Sequence, residues 1–479
     1  MPLILPGNVA SATASTTYDV DNSCRINRAD SPSLTRDQSA SPTHDDKGTL
    51  SFWFKIGNLS SGDGHYFFSV FTDSDNRMQM YLGSDNTLRL IQKTGGSTVL
   101  NLVTTRVFRD PSAWYHLVIA CDSSQGTAAN RIKIYINGVQ ETSFSTETYL
   151  DQNEDIQLVK GTEVCLGAYN KASPSDFLDA YLAEMVLIDG TQNAVTDFGE
   201  FDSDSPTIWK PKELSGLTFG NTGFYLDFED SGDLGDDESG NTNDFSETNL
   251  AATDQSADSP TNNWCTLNPL DNNNATNLPT LFEGNLDVLS VSDSTWSITP
   301  GTIALPKSGK WYYEVEAVSG RAGDRSAMAG WANPEADNPL SNGSMFSRNS
   351  NGNIMQDDSS IATGYTTWHA DGDILGCYID MDNSKLYWAM NGTIQASGTG
   401  ISFAGGFDDA AFIIPMVQVI NLEKLSVNFG NPATNFAIAS GNADANGYGN
   451  FEFDPSSGTF DGASKDFYAI CTKNLAEFG

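Results

Sequence analysis

The stretch from Asp371 to Gly392 constrains the fold more than any other part of the chain. Ile374 to Ile379 is a short apolar run, Asp380 to Ser384 a cluster of turn formers, and Lys385 to Met390 a second run rich in aromatic and apolar residues. It closes on Asn391-Gly392, a pair suited to a tight hairpin because both positions accept positive φ. The segment predicts a β-meander. Arg131 to Ile136 alternates basic and apolar residues ahead of a second such pair, Asn137-Gly138, so each half of the chain contains a comparable unit.

At 479 residues the chain exceeds what one core usually organises, and two or three domains are expected. Aromatic residues make up 11% of it and there are 43 glycines, with many Ser, Thr, Asn and Asp, which suits turn-rich β structure. Sixty-two acidic residues against 25 basic ones give a formal charge of −37, which repels phosphate backbones and excludes nucleic acid as a natural partner. Such a surface keeps a protein soluble in salty water. The six cysteines lie far apart, without a Cys-x-x-Cys pair, and read as small buried hydrophobes, not as a zinc site or a disulfide framework. The opening Met-Pro-Leu-Ile-Leu-Pro-Gly lacks the basic region and length of a signal peptide or membrane span, so no membrane insertion is expected.

Residues 1–47 read as a polar arm, with Thr17 to Val20 and Cys24 to Ile26 as short edge strands. From Gly48 the strand signals come densely: Leu50 to Phe54, His65 to Phe71, Met78 to Leu82, Thr87 to Gln92, Trp114 to Ala120, Arg131 to Ile136, Val164 to Gly167 and Tyr181 to Ile188. Strands at this density, without helices, predict an antiparallel sandwich. Ser51-Phe-Trp-Phe-Lys55, Trp114-Tyr-His-Leu-Val118, Ile132-Lys-Ile-Tyr-Ile-Asn-Gly138 and Tyr181 to Gly190 resemble the laminin-G and concanavalin-A-like jelly rolls, and residues 48–190 are assigned to that domain.

Residues 191–285 form an acidic connector of short aromatic islands, one of which, Phe224 to Phe228, is predicted to add a strand to the first sandwich. The second dense block spans 286–440. Lys310 to Glu316, Ala327 to Trp331, Gly372 to Asp380, Lys385 to Gly392, Ile414 to Val419 and Leu425 to Gly430 resemble, in order, the strands of a SPRY domain. The tail, 441–479, is Gly-rich, then mildly amphipathic, and suited to docking on a domain or a neighbouring subunit. The predicted fold class is all-β: two antiparallel sandwiches, a jelly roll and a SPRY domain, joined by the acidic connector. The two Asn-Gly turns then belong to different sandwich families and reflect shared hairpin physics, not duplication.

Catalysis finds little support in these residues. Glycoside hydrolysis needs two carboxylates flanking the sugar, and the nearest approach, Glu314-Val-Glu316, puts two on one face of one strand, where an outward polar face is the simpler expectation. His116 has no nucleophile or second histidine nearby and reads as a structural residue. Some laminin-G-like domains hold calcium at the rim, and Asp122, or Asp236 and Asp237 in the acidic run, are the oxygen donors that resemblance would use. In SPRY domains the ligand surface is made by loops at one end, which points to the stretch from Asn333 to His369. Asn333, Phe346, Tyr365, Trp368 and His369 there combine aromatic faces with polar groups suited to a sugar or a peptide loop.

The succession of laminin-G-like sandwich, aromatic connector and SPRY domain on an acidic chain resembles virion structural proteins of tailed bacteriophages from marine hosts. That resemblance implies a non-enzymatic adhesion or receptor-binding protein, assembled in the host cytoplasm and carried on the particle. Its expected partners are other virion proteins and a host-surface glycan or protein, and its expected state a homo-oligomer such as a trimer. The alternatives are a capsid or tail decoration protein with a mechanical role and, further off, a carbohydrate-active enzyme. No fibre shaft is legible: the chain has no heptads, collagen repeat or β-helix period.

Overall fold

Period-two alternation in the sequence becomes strands whose successive side chains face opposite ways. The computed structural model describes residues 3–5, 18–59, 64–170, 172–270, 278–320, 326–334, 344–348, 350–356, 359–403 and 412–479. Contacts divide the chain into two units, Thr16–Thr261 and Asn262–Gly479 together with Met1–Ser15. Both are antiparallel sandwiches, as the sequence predicts, and the described α-helices are two short ones, Gln157–Lys160 and Thr472–Phe478.

In the first unit one sheet runs, in spatial order, Val139–Glu141, Ile132–Ile136, Trp114–Asp122, Lys47–Ile56, Ala180–Asp189, Ser23–Ile26 and Gln255–Ser256, with Phe224–Leu226 also paired to Ala180–Asp189. The other runs Phe144–Thr148, Ser97–Val107, Thr87–Thr94, Arg77–Leu82, His65–Phe71, Glu163–Leu166, Ser33–Asp37 and Ser246–Thr248. Leu50, Phe52 and Phe54 of the first sheet meet Met78, Met80, Leu88, Leu90, Leu100 and Leu102 of the second in one core.

The predicted strand from Phe224 is present, paired with Met185 to Leu187. Cys24 to Ile26 differs from expectation: it lies between two strands instead of at an edge. Thr17 falls outside the described residues, and Tyr18 to Val20 are not strand. Ser97–Val107, eleven residues long, is absent from the sequence reading because its outward positions are polar or short. Residues 191–261 are no simple connector, since they add three strands to the two sheets, pair Gly199–Phe201 with Trp209–Pro211 in a small sheet of their own, and cover one face of the sandwich.

In the second unit the larger sheet runs Thr280–Phe282, Asp287–Leu289, Lys424–Asn428, Lys310–Ser319, Asp373–Asp380, Lys385–Met390 and Thr393–Ile394. The smaller runs Ser297–Pro300, Ile414–Ile420, Ser326–Ala332, Ser344–Arg348, Ile354–Gln356 and Ser359–Ala362. Trp311, Tyr313, Trp331, Trp368 and Trp388 fill the space between them. The tail docks on this same unit: Tyr468–Ala469 runs parallel to Trp311 and Tyr312, and Phe451, Phe460 and Phe467 pack on Tyr312, Tyr378 and Tyr387.

The two Asn-Gly turns are built alike. Asn137 and Gly138 take φ of 47° and 77°, and Asn391 and Gly392 take 46° and 75°. In each, the Asn side-chain oxygen accepts a backbone N–H of the neighbouring strand, from His116 (2.7 Å) or Ile374 (2.8 Å). In each, a later aromatic lies so close that a Cβ on the glycine would strike it, Trp209 at 2.3 Å or Phe453 at 2.5 Å. Glycine is needed here for both φ and space.

Candidate functional site

The stretch from Asn333 to His369 is not one loop. It contains the strands Ser344–Arg348, Ile354–Gln356 and Ser359–Ala362, and residues 335–343 lie outside the described set. Its predicted ligand residues do not come together as one exposed surface. Phe346 is buried on the outer side of the smaller sheet, among Met328, Met355 and Met416, whereas Trp368 is buried in the core between the sheets and donates its indole N–H to Ser347 Oγ (3.2 Å). Tyr365 stands half-buried, edge-on to Trp388, Asn333 is half-buried, and His369 alone of the five is exposed. The indole and phenyl rings are spent on packing because an apolar ring beside a core gains more from burial than from solvent.

The carboxylates predicted for calcium are likewise engaged. Asp122 accepts the Ser124 N–H and hydroxyl through Oδ1 and the Gln125 amide through Oδ2, with Lys47 4.0 Å away. Asp237 accepts the N–H groups of Tyr225, Ser239 and Asn243 and the Ser239 hydroxyl, stapling its own loop, while Asp236 is exposed. Among the described residues no three His, Cys, Asp or Glu side chains gather as metal ligands. All six cysteines are buried thiols.

Glu314 and Glu316 are not on an outward polar face, contrary to expectation, because the tail covers that face. Glu314 is fully buried and accepts the Tyr312 hydroxyl (2.9 Å), the Asn428 amide (3.1 Å) and the backbone N–H groups of Glu452 (3.0 Å) and Phe453 (2.8 Å). Burial pushes its carboxyl up to about 7 against the pull of these donors. Glu316 accepts the Ala437 N–H (3.1 Å). Both carboxylates clamp residues that follow the last SPRY strand.

In the first unit the outer faces of the two sheets have different fates. On the sheet containing Lys47–Ile56, Trp53, Trp114 and Tyr181 point away from the core and are roofed by Val20 and Trp209. Lys55 is fully buried there against Asp258 (2.7 Å), which also accepts the Trp114 indole N–H (3.0 Å). His116 stacks on Trp53 and accepts the Trp209 indole N–H at Nδ1 (2.9 Å), which leaves Nε2–H to donate to Ser51 Oγ (2.9 Å). Burial pushes the imidazole down to about 3, so it is neutral and serves as a bolt between sheet and roof. Glu184, at φ 50° in a bulge, is buried between the Tyr18 (2.9 Å) and Tyr225 (3.0 Å) hydroxyls.

The outer face of the other sheet carries the candidate site. With Met78, Met80, Leu82, Leu88 and Leu90 turned into the core, Arg77, Gln79, Tyr81, Arg89, Ile91 and Lys93 must face outward. Tyr66 and Tyr81 stack with ring centres 4.4 Å apart and planes 12° apart, and the Arg89 guanidinium lies 6.0 Å from the Tyr81 ring. On the other side Tyr66 meets Tyr169 (5.1 Å), Tyr169 meets Phe71 (5.3 Å), and Arg77 lies 5.8 Å from the Phe71 ring. The result is a continuous ribbon of rings with a guanidinium at each end. Glycines make room for it: a Cβ at Gly64 would come within 2.8 Å of Tyr81, and one at Gly83 within 2.5 Å of Arg89. Cross-strand neighbours Gln79, Ile91 and Asn101 form the next row, and Arg77 and Lys93 the row after. The outward positions of the four strands from His65 to Val107 include no carboxylate. Three of these strands are legible in the sequence, but their outward residues carry no predicted role; the signal is the alternation Arg-Met-Gln-Met-Tyr-Leu and Leu-Arg-Leu-Ile.

This is the architecture of two binding folds in tandem, an all-β lectin-like sandwich and a second sandwich with an embraced C-terminal segment. Residues 29–194 match the family described as the concanavalin A-like lectin/glucanases superfamily, of laminin-G type, and residues 310–432 match the SPRY domain. The chain thus carries a laminin-G-type concanavalin-A-like domain followed by a SPRY domain. Among solved structures it is similar to the SPRY domain of human HERC1, with 17% identity over 34% of this chain and 96% of that one and a TM-score of 0.28. It is also similar to the heptameric SAP-like pentraxin of Limulus polyphemus, with 18% identity over 37% of this chain and 80% of that one and a TM-score of 0.28.

Proposed function

We propose that the chain is a non-enzymatic binding protein whose recognition surface for a cell-surface glycan is the Tyr66–Tyr81 face of the first sandwich. The observation that carries this is the ring ribbon itself: aromatic faces backed by a rigid sheet, with Asn101 in the next row, suit the apolar faces and hydroxyl edges of sugars. The reading as a binder, not a hydrolase, draws on the absence of carboxylates from the outward positions of those four strands, and on the engagement of Glu184 and Glu314 elsewhere. We place the protein on a tailed-bacteriophage particle, as an adhesion module that meets the host surface, in keeping with its domain order and its acidic surface.

Binding of the full chain to host-surface polysaccharides, measured by calorimetry, is expected to fall about tenfold or more in Tyr81→Ala, since a stacked ring is a typical binding anchor. Unchanged affinity in that variant removes the face from the site. Particles lacking the protein are expected to lose host adsorption; fragile but fully adsorbing particles favour the mechanical decoration role instead.

A further inference from the structure

We propose that the ligand of this face is an acidic polysaccharide, one whose sugar rings carry carboxylate or sulfate groups, held by Arg77 and Lys93. The inference rests on the reading that the Tyr66–Tyr81 face binds glycan, and it adds the charge class of that glycan.

Arg77 and Lys93 are direct cross-strand partners. Like charges in that relation destabilise a sheet. Sixty-two acidic residues are available in this chain to relieve them, yet among the described residues neither cation has a carboxylate partner. Arg89, two rows along, shows the other solution: Asp85 neutralises it at 3.1 Å. The Arg77 guanidinium is held in place by the Phe71 ring and the Ser74 carbonyl, which fixes its fork before any ligand arrives. An anion supplied from outside completes the pair.

The spacing sets the size of the ligand. Tyr81 and Arg77 are four positions apart on one strand, about 13 Å at the usual rise. That distance exceeds one sugar ring, so rings stacked near Tyr81 and an acidic group at Arg77 and Lys93 belong to different units of one chain. The half-buried Ile91 and Asn101 lie between, with the Asn101 amide beside the path of the chain. A bare charge attraction does not explain this layout, because the whole molecule at −37 repels polyanions unless local pairing is specific.

The test uses the full chain with three polymers: polygalacturonate, its methyl ester as the neutral form of the same backbone, and dextran sulfate. Binding to polygalacturonate or dextran sulfate but not to the ester is expected, and the stronger of the two tells carboxylate from sulfate. Lys93→Gln and Arg77→Gln should each weaken it about tenfold, as loss of one charge-assisted bond does. Lys133→Gln, on the other sheet, should leave it unchanged. If the ester binds as tightly as the acid while Tyr81→Ala still abolishes binding, the glycan face stands and the acidic ligand falls. Equal sensitivity to Lys93→Gln and Lys133→Gln reduces the effect to diffuse charge and also overturns the proposal. If no polymer and no host polysaccharide binds, both readings fail together.

Discussion

The two outer faces of the first sandwich carry the same kinds of side chain and put them to opposite uses. On one, Trp53, Trp114, Tyr181, Lys55 and His116 are sealed beneath Val20 and residues from the stretch after Gly190, and the buried Lys55 meets the carboxylate of Asp258. On the other, Tyr66, Tyr81, Arg77 and Lys93 stand half-buried at an open surface, and two cations are left facing each other. The difference teaches that an aromatic, basic alternation along a strand does not by itself mark a binding face. What separates roof from site is whether a later segment supplies the matching carboxylate or indole.

Removing that matching group should give the largest effect. Asp258→Ala takes from the buried Lys55 the carboxylate that neutralises it, and should cost roughly 3–5 kcal/mol of stability in denaturant unfolding. Replacing both partners by apolar residues, as in Lys55→Met with Asp258→Leu, should recover most of the loss, because the penalty belongs to the stranded charge. A small loss in the single variant would mean that the roof is loose and the two faces less different than described.

Protonation sharpens the same contrast. Glu314 has its carboxyl raised to about 7 by burial, above its value in the unfolded chain, so folding takes up protons there. Its contribution is fully present below about pH 4.5 and is lost as pH rises through about 7, up to about 3 kcal/mol. Glu314→Gln should flatten that slope in pH-dependent melting of the second unit. His116 acts in the opposite direction. Its folded value is depressed to about 3, so the unfolded chain binds the proton first. Stability of the first unit should fall as pH drops below about 6.5, by about 2 kcal/mol at pH 5. His116→Asn should remove most of that acid sensitivity.

Much of this architecture was legible beforehand because β patterning is local. His65 to Phe71 reads as a strand from its own composition, and Asn391-Gly392 declares its turn through the φ values only such residues accept. What stayed hidden depends on residues distant in sequence. Nothing near Lys55 announces Asp258, and nothing near Glu314 announces Glu452 and Phe453, so a covered polar face reads as an exposed one. The same blindness misplaced the site. Trp368 and Phe346 look like a ligand surface in a polar stretch, but strands within that stretch turn one into the core and the other onto the outer side of the sheet.

The smallest expected effect on stability is the one that decides the functional contrast. Tyr81 stacks on Tyr66 and lies beneath Arg89, yet it is half-exposed, and ring and cation contacts at open sites contribute about 0.5–1 kcal/mol each. Tyr81→Ala should therefore lower stability by roughly 1–2 kcal/mol, against about 3–5 kcal/mol for truncating the roofed Trp209 to alanine. Glycan binding should show the reverse order, lost in Tyr81→Ala and kept in a folded Trp209 variant such as Trp209→Phe. Such a crossing of the two readouts, unfolding and binding measured on the same pair of proteins, is what a roof and a site on opposite faces of one sandwich require. Two variants that lose both properties in parallel would mean that Tyr81 belongs to the framework, as Trp209 does.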